Sequence, residues 1–450
     1  MPGHKRKSIA GISPDFASVD FTEVEGSDDL HDPGGIILEA EKYAAGVLGA
    51  DRTFFLVNGS TAGVLAAISA CVKKGGKLLM ARNSHRSAYN AVYLRDLKPE
   101  YIYPGELQEP GIPDAVTAEE VRKGLAADPD VSAVFIVSPT YEGRLSDIRA
   151  IAEAVHEKGI PLIVDEAHGA HLSFVTNSAS DAIRCGADVV IQSVHKTLPA
   201  PTQTALLSVK GDLADADEIA RFLSIYQSSS PSYPFMAMID GCVRFMAENG
   251  EKLISELRTN FEKMLNRLEV CDKLIFEPCL KDLREGRADY GKLLICPGKC
   301  RENGFETARI LREEFGVETE MDSLGYVLAM FTVCDEAEDF MRVTDAILAL
   351  DKRLTDKTDD VHGPDNSSGI LPVKKMEYAA AVDAPHEEVP LEQAQGRVCA
   401  SLIYKYPPGT PILVPGEEIS EELVSLLRES VNVGANIKGI TPSGIPVVKD

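Results

Sequence analysis

Two segments with charged and polar residues each follow an apolar run of the sequence. Asp165–His168 (DEAH) follows PLIV, and Ser193–Lys196 (SVHK) follows DVVIQ. A carboxylate at a buried strand end is costly unless a cation meets it, so Asp165 is suited to a protonated ring nitrogen or a metal, or to an ordinary capping role. In a cleft, Lys196 would have a lowered pKa and serve as an amine nucleophile, whereas in an exposed loop it would have no such role.

The segment Asn58–Gly63 (NGSTAG) lies between the apolar run FFLV and an alanine-rich helical pattern. Glycine lets the backbone approach a ligand closely, and the hydroxyls of Ser60 and Thr61 can donate hydrogen bonds. A helix N-terminus also presents free N–H groups to an anion. The segment therefore predicts a phosphate-binding turn, although the same residue types also form an ordinary helix N-cap.

Two further loops could complete a site for a cofactor. Asn83–Ser87 (NSHRS) follows KLLMA, and Ser138–Tyr141 (SPTY) follows VFIV. Taken singly, His85 and Thr140 can equally be structural, but ligands of α/β sheets gather at the carboxyl ends of strands. The five loops together predict one site for a phosphorylated aromatic cofactor, with a phosphate-binding turn, a stacking ring, an aspartate and a lysine.

Between about residues 36 and 210, short apolar runs alternate with helical patterns. This alternation is typical of βαβ units around a mainly parallel sheet, and the near-continuous apolar runs indicate that both faces are covered. The sequence thus predicts the α/β class. The predicted strands are Thr53–Val57, Lys77–Met80, Tyr101–Tyr103, Ala133–Val137, Pro161–Val164, Asp188–Gln192 and Thr204–Val209. The predicted helices are Ser60–Val72, Ser84–Leu94, Ala118–Ala127, Asp147–Lys158 and Ser180–Cys185.

The second half of the sequence predicts smaller α+β units. A long helical pattern precedes a further alternation of strands and helices, and a polar stretch then separates off a proline-rich final module. The predicted elements are a helix at Pro234–Val270, a strand at Lys292–Cys296, a helix at Glu302–Phe315, a strand at Tyr326–Thr332 and a helix at Ala337–Leu350. We expect an N-terminal arm at 1–35, a large domain at 36–265, a small domain at 266–355, a linker at 356–369 and a C-terminal domain at 370–450.

Composition excludes several classes of partner. The chain has 450 residues, of which 44% are hydrophobic, and its formal charge of −24 at pH 7 argues against binding to nucleic acid or an anionic membrane. No stretch approaches the roughly 20 apolar residues of a membrane span. Nine cysteines without paired spacings, and a start that lacks a signal-peptide core, predict a reducing cytoplasm. Cys296 and Cys300 have no second ligand pair nearby, so no metal is expected.

Several stretches taken together resemble one enzyme family. They are NGSTAG, SHRS, SPTYEG, VDEAHGAH, QSVHKTLPAPTQTALL, SSSPSY and KYPPGTPILVPGE, with PGHK at Pro2–Lys5 and DFTEVEGSDDLHDPGG at Asp20–Gly35. In order and spacing they resemble the Orn/Lys/Arg decarboxylase family, in its short form, which belongs to the pyridoxal-phosphate (PLP) enzymes of the aspartate aminotransferase type, fold type I. The resemblance implies a PLP-dependent transferase-like large domain with a mainly parallel sheet.

The same resemblance implies roles for individual residues. Lys196 would hold pyridoxal 5'-phosphate as a Schiff base, Asp165 would pair with the ring nitrogen, and His85 would stack on the ring. The implied cofactor-binding set is Gly59, Ser60, Thr61, His85, Thr140, Asp165, His168, Ser193, His195, Lys196, Ser229 and Ser230. Within the segment Ser228–Ser230, these serines would reach the phosphate of a neighbouring subunit in a homodimer with shared sites.

The implied activity is decarboxylation of arginine, lysine or ornithine to CO₂ and a polyamine precursor, with arginine preferred over the other two. His195, Lys196 or His168 could return a proton to Cα, and the sequence does not choose among them. Glu417 would bind the distal cation of the substrate by analogy. Asp15 and Glu25 are the other acidic residues available for that role.

Three other functions stay open from the residues alone. The first is another reaction on the same scaffold, such as that of an aminotransferase or a C–C or C–S lyase, although the sequence places no arginine to clasp an α-carboxylate. The second is a binding protein that has lost catalysis, which would be expected to lack Lys196 or Asp165, and both are present. The third, a dehydrogenase, needs a G-x-G-x-x-G turn that NGSTAG lacks.

Overall fold

A seven-stranded, mainly parallel sheet forms the centre of the computed structural model, which describes residues 19–107, 111–175, 181–298, 300–356, 370–407 and 409–449. The strands up to residue 209 are β1 Arg52–Leu56, β2 Lys77–Ala81, β3 Lys98–Ile102, β4 Glu106–Leu107, β5 Ile112–Pro113, β6 Val131–Val137, β7 Leu162–Asp165, β8 Val189–Gln192 and β9 Ala205–Val209. The sheet order is β1-β9-β8-β7-β6-β2-β3, while β4 and β5 form a separate hairpin. Within this seven-stranded sheet, β9 alone of the described strands runs antiparallel to both its neighbours. The predicted α/β class is confirmed.

Helices follow the strands much as the patterns predict. They are α1 Ile36–Leu48, α2 Gly59–Cys71, α3 Arg86–Leu94, α4 Ala118–Ala127, α5 Ile148–His156, α6 Val194–Thr197, α7 Ala216–Tyr226 and α8 Tyr233–Leu268. Side chains fix several starts: Thr117 forms a capping box with Glu120 at α4, and Asp147 caps α5. The helix predicted at Ser180–Cys185 is wrong. Ser180 lies outside the described residues, and 182–186 form a turn that ends at a left-handed glycine.

Alternate residues of the central strands pack on opposite faces of the sheet. In β6, Ala133 and Phe135 join one buried apolar cluster, whereas Val134 and Ile136 join another. This two-sided burial explains why the strands are nearly continuous apolar runs rather than alternating ones. A sheet covered on both faces leaves its strand ends as the place where polar side chains can converge.

A smaller antiparallel sheet packs against the end of α8. Its elements are β10 Ile275–Glu277, α9 Leu280–Arg284, β11 Lys292–Cys296, α10 Gly304–Phe315, β12 Met321–Asp322, β13 Val327–Met330 and α11 Ala337–Arg353, with strand order β10-β11-β13-β12. The Phe331 ring packs on Phe261 of α8 at 5.8 Å and on Phe340 of α11 at 4.5 Å between centroids. The small sheet therefore shares a core with the long helix.

The C-terminal part has two small sheets and an apolar cluster of its own. Its elements are α12 Tyr378–Asp383, β14 His386–Val389, β15 Ile403–Lys405, β16 Pro411–Leu413, α13 Glu421–Asn432, β17 Ile437–Lys438 and β18 Ile445–Val448. Strand β14 pairs with β18, and β15 pairs with β16 and β17. Most of the predicted linker, 357–369, lies outside the described residues, as does much of the predicted arm with Pro2–Lys5 and Asp15. The domain boundaries stay a prediction.

Two properties of the described ranges bear on partners and ligands. None of their helices combines the length and the apolarity needed to cross a membrane. All nine cysteines are free, and the same ranges hold no group of three His, Cys, Asp or Glu side chains arranged for a metal ion.

Candidate active site

A cavity of about 1320 Å³ opens at the carboxyl ends of the parallel strands. Its walls come from the strand-end loops, the small sheet and the C-terminal part. The lining includes Ser60, Arg82, Asn83, His85, Tyr141, Glu142, Asp165, His168, Lys196, Met321, Tyr326, Lys405 and Glu421. Small-ligand pockets typically measure about 300–1,000 Å³, so this cavity has room for an aromatic cofactor together with a small substrate.

Lys196 lies in the one-turn helix α6. Ser193 alone separates the start of this helix from the end of β8. The Nζ of Lys196 is 3.0 Å from Nε2 of His168. Burial lowers the pKa of Lys196, and the negative charge of Asp165 opposes that shift only in part. A lysine in this environment holds a larger fraction of neutral, nucleophilic amine than a surface lysine does.

Asp165 is the last residue of β7, and its buried carboxylate faces the same cavity. Its Oδ1 accepts a hydrogen bond from the N–H of Ala167 at 3.1 Å. Among the described residues no donor reaches Oδ2, and burial raises the pKa of the carboxyl group against the charge of Lys196. An incompletely bonded buried carboxylate is stabilised by a cation, and a protonated ring nitrogen would supply one.

His168 is buried between two lysines. Its Nε2 faces Lys196, and its Nδ1 is 2.7 Å from Nζ of Lys292, the first residue of β11. The ring of Tyr141 meets it edge-on at 4.7 Å between centroids. Burial, aided by the charges of both lysines, lowers the pKa of His168 well below its usual value, so the imidazole is neutral.

The segment Asn58–Gly63 forms a turn and the start of α2, as expected of a phosphate-binding turn. Gly59 has φ +73° and donates its N–H to the carbonyl of Gln203. The hydroxyl of Ser193, after β8, donates to the hydroxyl of Ser60 at 2.9 Å. Two predicted cofactor-binding serines from separate loops therefore meet beside a helix N-terminus, and Thr61 is exposed in the first turn of that helix.

His85 caps α3 and lines the cavity beside the C-terminal part. Its Nδ1 accepts the N–H of Ser87, and burial lowers its pKa to about 3, so the ring is neutral. Gly409 lies against this ring, with φ +98°. The carbonyl of Gly409 also accepts the N–H of Arg86, which holds the two segments together. A neutral ring in this setting suits stacking on an aromatic cofactor.

His195 is placed less favourably for its predicted role in cofactor binding. Its Nδ1 lies 2.8 Å from the carbonyl of Thr204, to which it donates, and burial lowers its pKa to about 4. The neutral ring then has only an acceptor at Nε2. It does not appear in the cavity wall, in contrast to Lys196 beside it.

Thr140 does not line the cavity wall. The residue is buried, and its hydroxyl accepts the N–H of Arg144 at 3.1 Å within the loop. Its neighbour Tyr141 faces the cavity instead and donates its hydroxyl to Glu320 at 2.9 Å. The loop thus turns the tyrosine, not the threonine, toward the cavity, and the role of Thr140 in cofactor binding stays a prediction.

Glu417 is not free to bind a distal cation as the resemblance implies. Its side chain is 1% exposed, and Oε2 lies 2.9 Å from Nη2 of Arg82. Arg82 Nε bonds the other oxygen at 3.1 Å, and the N–H of Val414 donates to Oε2 at 2.8 Å. Since both oxygens are taken, the expected role of Glu417 is corrected to an internal ion pair.

The remaining predicted residues are exposed or undescribed. Glu25 is exposed and outside the cavity wall, and Asp15 lies outside the described residues. Ser228, Ser229 and Ser230 are exposed, and the N–H of Ser228 donates to Oδ1 of Asn58 at 3.1 Å. The serine segment thus borders the phosphate-binding turn of its own chain while its hydroxyls stay accessible from outside.

Sequence reasoning missed several residues of the cavity. Lys292 was predicted only as the first residue of a strand, and a lysine opening the apolar run KLLIC was the available sign of a buried charge. Arg82 follows KLLMA directly and precedes the segment Asn83–Ser87, in which Asn83 had no predicted role of its own. The Oδ1 of Asn83 is buried without a hydrogen-bond partner in the described part of the chain, and its side chain lines the cavity.

The fold has counterparts among solved structures. The lysine decarboxylase A structure from Pseudomonas aeruginosa superposes with a TM-score of 0.80 over 96% of this chain and 74% of that one, at 19% identity. The chain therefore has the fold type I architecture of that decarboxylase, and both Lys196 and Asp165 line its strand-end cavity.

Sequence comparison identifies the family. The arginine decarboxylase of Bacillus subtilis is 30% identical over all of this chain and 93% of its own length. That of Halalkalibacterium halodurans is 32% identical over 98% of this chain and 91% of its own. Family models described as the major domain and the C-terminal domain of Orn/Lys/Arg decarboxylases match residues 12–286 and 370–443. The chain belongs to the Orn/Lys/Arg decarboxylase family.

Proposed function

We propose that this protein binds pyridoxal 5'-phosphate at Lys196 and decarboxylates a basic amino acid, with arginine preferred over lysine and ornithine. The observation that carries the proposal is that Asp165, buried and hydrogen-bonded at one oxygen only, faces the same cavity as the Lys196 amine. Relatives named arginine decarboxylase cover almost the whole chain and support the choice of substrate.

The residues present fit this cofactor. Lys196 would hold its aldehyde carbon, Asp165 would keep its ring nitrogen protonated, and His85 would stack on the ring. Ser60 and Ser193, with the N-terminus of α2, would bind the phosphate. When bound, the cofactor supplies the electron sink for the pair left on Cα as CO₂ departs.

Proton return to Cα is suited to the pair Lys196 and His168. The two groups share a hydrogen bond inside the cavity, whereas His195 uses its Nδ1 proton on a backbone carbonyl. A general acid must lie within reach of the atom it protonates. We therefore favour Lys196 or His168, and not His195, among the three candidates.

The charge of the cavity favours a cationic substrate. Glu106, Glu142, Glu421, Glu422 and Glu429 line it, the last three from helix α13 of the C-terminal part. An acidic wall raises the local concentration of a dibasic amino acid and disfavours acidic substrates. This charge suits arginine, lysine and ornithine alike.

Aminotransfer is the rival reaction, and one observation argues against it. An aminotransferase clasps the α-carboxylate that it preserves. Arg82 is the one arginine in the cavity wall formed by the described residues, and its guanidinium is committed to Glu417 and to the carbonyls of Pro411 and Ile412. With that arginine engaged, loss of the carboxylate is the better supported outcome.

A product assay tests the proposed reaction. The holoenzyme is incubated separately with arginine, lysine and ornithine, and CO₂ release is measured together with agmatine, cadaverine and putrescine. We expect stoichiometric CO₂ and amine, fastest from arginine. Keto-acid-dependent transfer of the amino group without CO₂ release would overturn the proposal.

We also propose a cytoplasmic homodimer with shared sites, because serines 228–230 are exposed and lie outside the cavity wall of their own chain, which leaves their hydroxyls for a neighbouring subunit. Light scattering on the purified enzyme should give twice the mass of the chain. Full activity in a strictly monomeric enzyme would contradict the role of Ser229 and Ser230.

A further inference from the structure

Lys292 is a fully buried lysine that the proposed reaction does not use. It begins β11, and its side chain is 0% exposed. Burying an ammonium is costly unless it is paired and hydrogen-bonded. A lysine in this place must therefore have partners that make up for the lost water.

The amine of Lys292 has polar neighbours. Its Nζ lies 2.7 Å from Nδ1 of His168 and 3.6 Å from the sulfur of Met330. The carboxylates of Asp289, Glu320 and Glu142 favour the charged form of Lys292, and Lys196 opposes that form only when it is itself protonated. Burial lowers the pKa of Lys292 to about 8, which still leaves the ammonium form dominant at neutral pH.

The protonation of Lys292 fixes the tautomer of His168. A neutral imidazole has one N–H and one acceptor nitrogen. If the Lys292 ammonium donates to Nδ1, the ring proton is on Nε2, and Nε2 then donates to the Lys196 Nζ at 3.0 Å. Only a neutral amine can accept that hydrogen bond. The geometry thus forms a chain that runs from Lys292 through His168 to Lys196.

We propose that Lys292 is a positioning residue that, through His168, holds the Lys196 amine neutral and oriented toward the cofactor. The inference rests on the proposed function, since it assigns the attachment of the cofactor to Lys196. The step it serves is condensation: the neutral amine and the aldehyde form one C=N bond and release one water. An ammonium would first have to lose a proton.

The fold makes room for this lysine at a specific glycine. A Cβ at Gly143 would lie 2.7 Å from both Cβ and Cγ of Lys292, and Gly143 has φ +97°. The loop after β6 can therefore pass directly over the lysine stem only because the residue there is glycine. Lys292 is confined by the loop on one side and by His168 at its tip.

Competitive labelling of the lysines in the cofactor-free protein tests the proposal. An amine-selective acylating reagent is applied across a range of pH, and mass spectrometry gives the labelling midpoint of Lys196. In Lys292→Met the labelling midpoint of Lys196 should rise by about one pH unit or more. The variant loses the positive charge of Lys292, and the tautomer of His168 is no longer fixed. An unchanged midpoint would overturn the proposal.

Lys77→Met is the matched control. Lys77 also begins a strand, β2, but pairs with Asp128 away from the cavity wall. Its loss should leave the midpoint of Lys196 where it is in the wild type. Because the protein carries no cofactor in this experiment, a failure of the proposed function would appear separately, as an absence of PLP binding or of CO₂ release.

A second measurement does not depend on how the variant folds. Isotope-labelled histidine in the wild-type, cofactor-free protein reports the tautomer of each of the nine histidines by NMR, and His168→Gln assigns the signal of His168. We expect the neutral form with its proton on Nε2. A proton on Nδ1 would contradict the chain from Lys292 to Lys196.

Discussion

Arg82 and Glu417 form a buried two-point ion pair that joins the end of β2 to the C-terminal part. The contacts are 2.9 Å between Nη2 and Oε2 and 3.1 Å between Nε and Oε1. The same guanidinium donates to the carbonyl of Pro411 at 3.0 Å. The pair therefore fastens one wall of the cavity to another and leaves neither charge for the substrate.

The first prediction separates this structural role from substrate binding. Glu417→Gln should lower the free energy of unfolding by about 3 kcal/mol, because it leaves the Arg82 charge buried without its partner. The KM for arginine should change little in the enzyme that remains folded. Urea denaturation and steady-state kinetics measure the two effects.

The control for Glu417 replaces both partners. Arg82→Met combined with Glu417→Leu should recover part of the lost stability, since apolar replacements of a buried pair are often tolerated. A large rise of KM in Glu417→Gln at unchanged stability would instead return Glu417 to the role of substrate ligand.

The second prediction concerns Asp165. Asp165→Asn keeps the size of the side chain and the acceptor for the N–H of Ala167, but removes the charge that would hold a ring nitrogen protonated. We expect the variant to fold and retain cofactor while kcat falls about 100-fold or more. Single-turnover kinetics with arginine measure the change, and a kcat near that of the wild type would remove the proposed role.

The third prediction follows from the lowered pKa of Lys292. The unfolded chain keeps this proton up to about pH 10.5, whereas the folded protein releases it near pH 8. Between these values the unfolded state binds more protons, so the stability contribution of Lys292 rises with pH by up to about 3 kcal/mol.

Urea titrations of wild type and Lys292→Met across this pH range measure that contribution together with the coupled shift of Lys196, because titrating groups remote from Lys292 cancel in the difference. The free energy of unfolding of the wild type should increase relative to that of the variant as pH rises. A difference that stays flat would mean that the Lys292 pKa is not depressed in the folded protein.

The fourth prediction concerns the contact between His85 and Gly409. A Cβ at Gly409 would lie 3.1 Å from Cδ2 and Nε2 of the His85 ring, and φ there is +98°. Gly409→Ala should therefore displace the ring and weaken cofactor binding by about tenfold, a strain of 1–3 kcal/mol. The Kd for pyridoxal phosphate is the measurement.

Gly434→Ala is the control for this prediction. Gly434 also has a positive φ, +81°, but a Cβ there would meet nothing within 4 Å. Gly434→Ala should lower the stability of the protein and leave its affinity for the cofactor unchanged. Equal losses of cofactor affinity in both variants would show that the contact with His85 is not the cause.

The sequence predicts the elements better than the contacts between them. The helix Ala118–Ala127 and the strand Lys292–Cys296 form with the predicted bounds, because capping residues and apolar runs are local properties. The strand-end positions of Asp165 and Lys196 follow from the same alternation. The turn at 182–186 was predicted as part of a helix, because the conformation of so short a segment depends on the residues packed around it.

Contacts between distant segments account for most of the errors at the site. The ion pair of Arg82 and Glu417 joins residues 335 positions apart, and Lys292 meets His168 across 124. No local pattern encodes either contact. Which of Thr140 and Tyr141 lines the cavity depends on how one loop turns, so the sequence predicts the loop but does not single out the tyrosine.

Reduction with borohydride tests whether the cofactor is bound to Lys196. The holoenzyme is treated with borohydride, digested and analysed by mass spectrometry to locate the covalently retained cofactor. We predict pyridoxyl phosphate on Lys196, and neither retained cofactor nor visible cofactor absorption in Lys196→Ala. Cofactor fixed to another lysine, or an unchanged spectrum in the variant, would contradict the account.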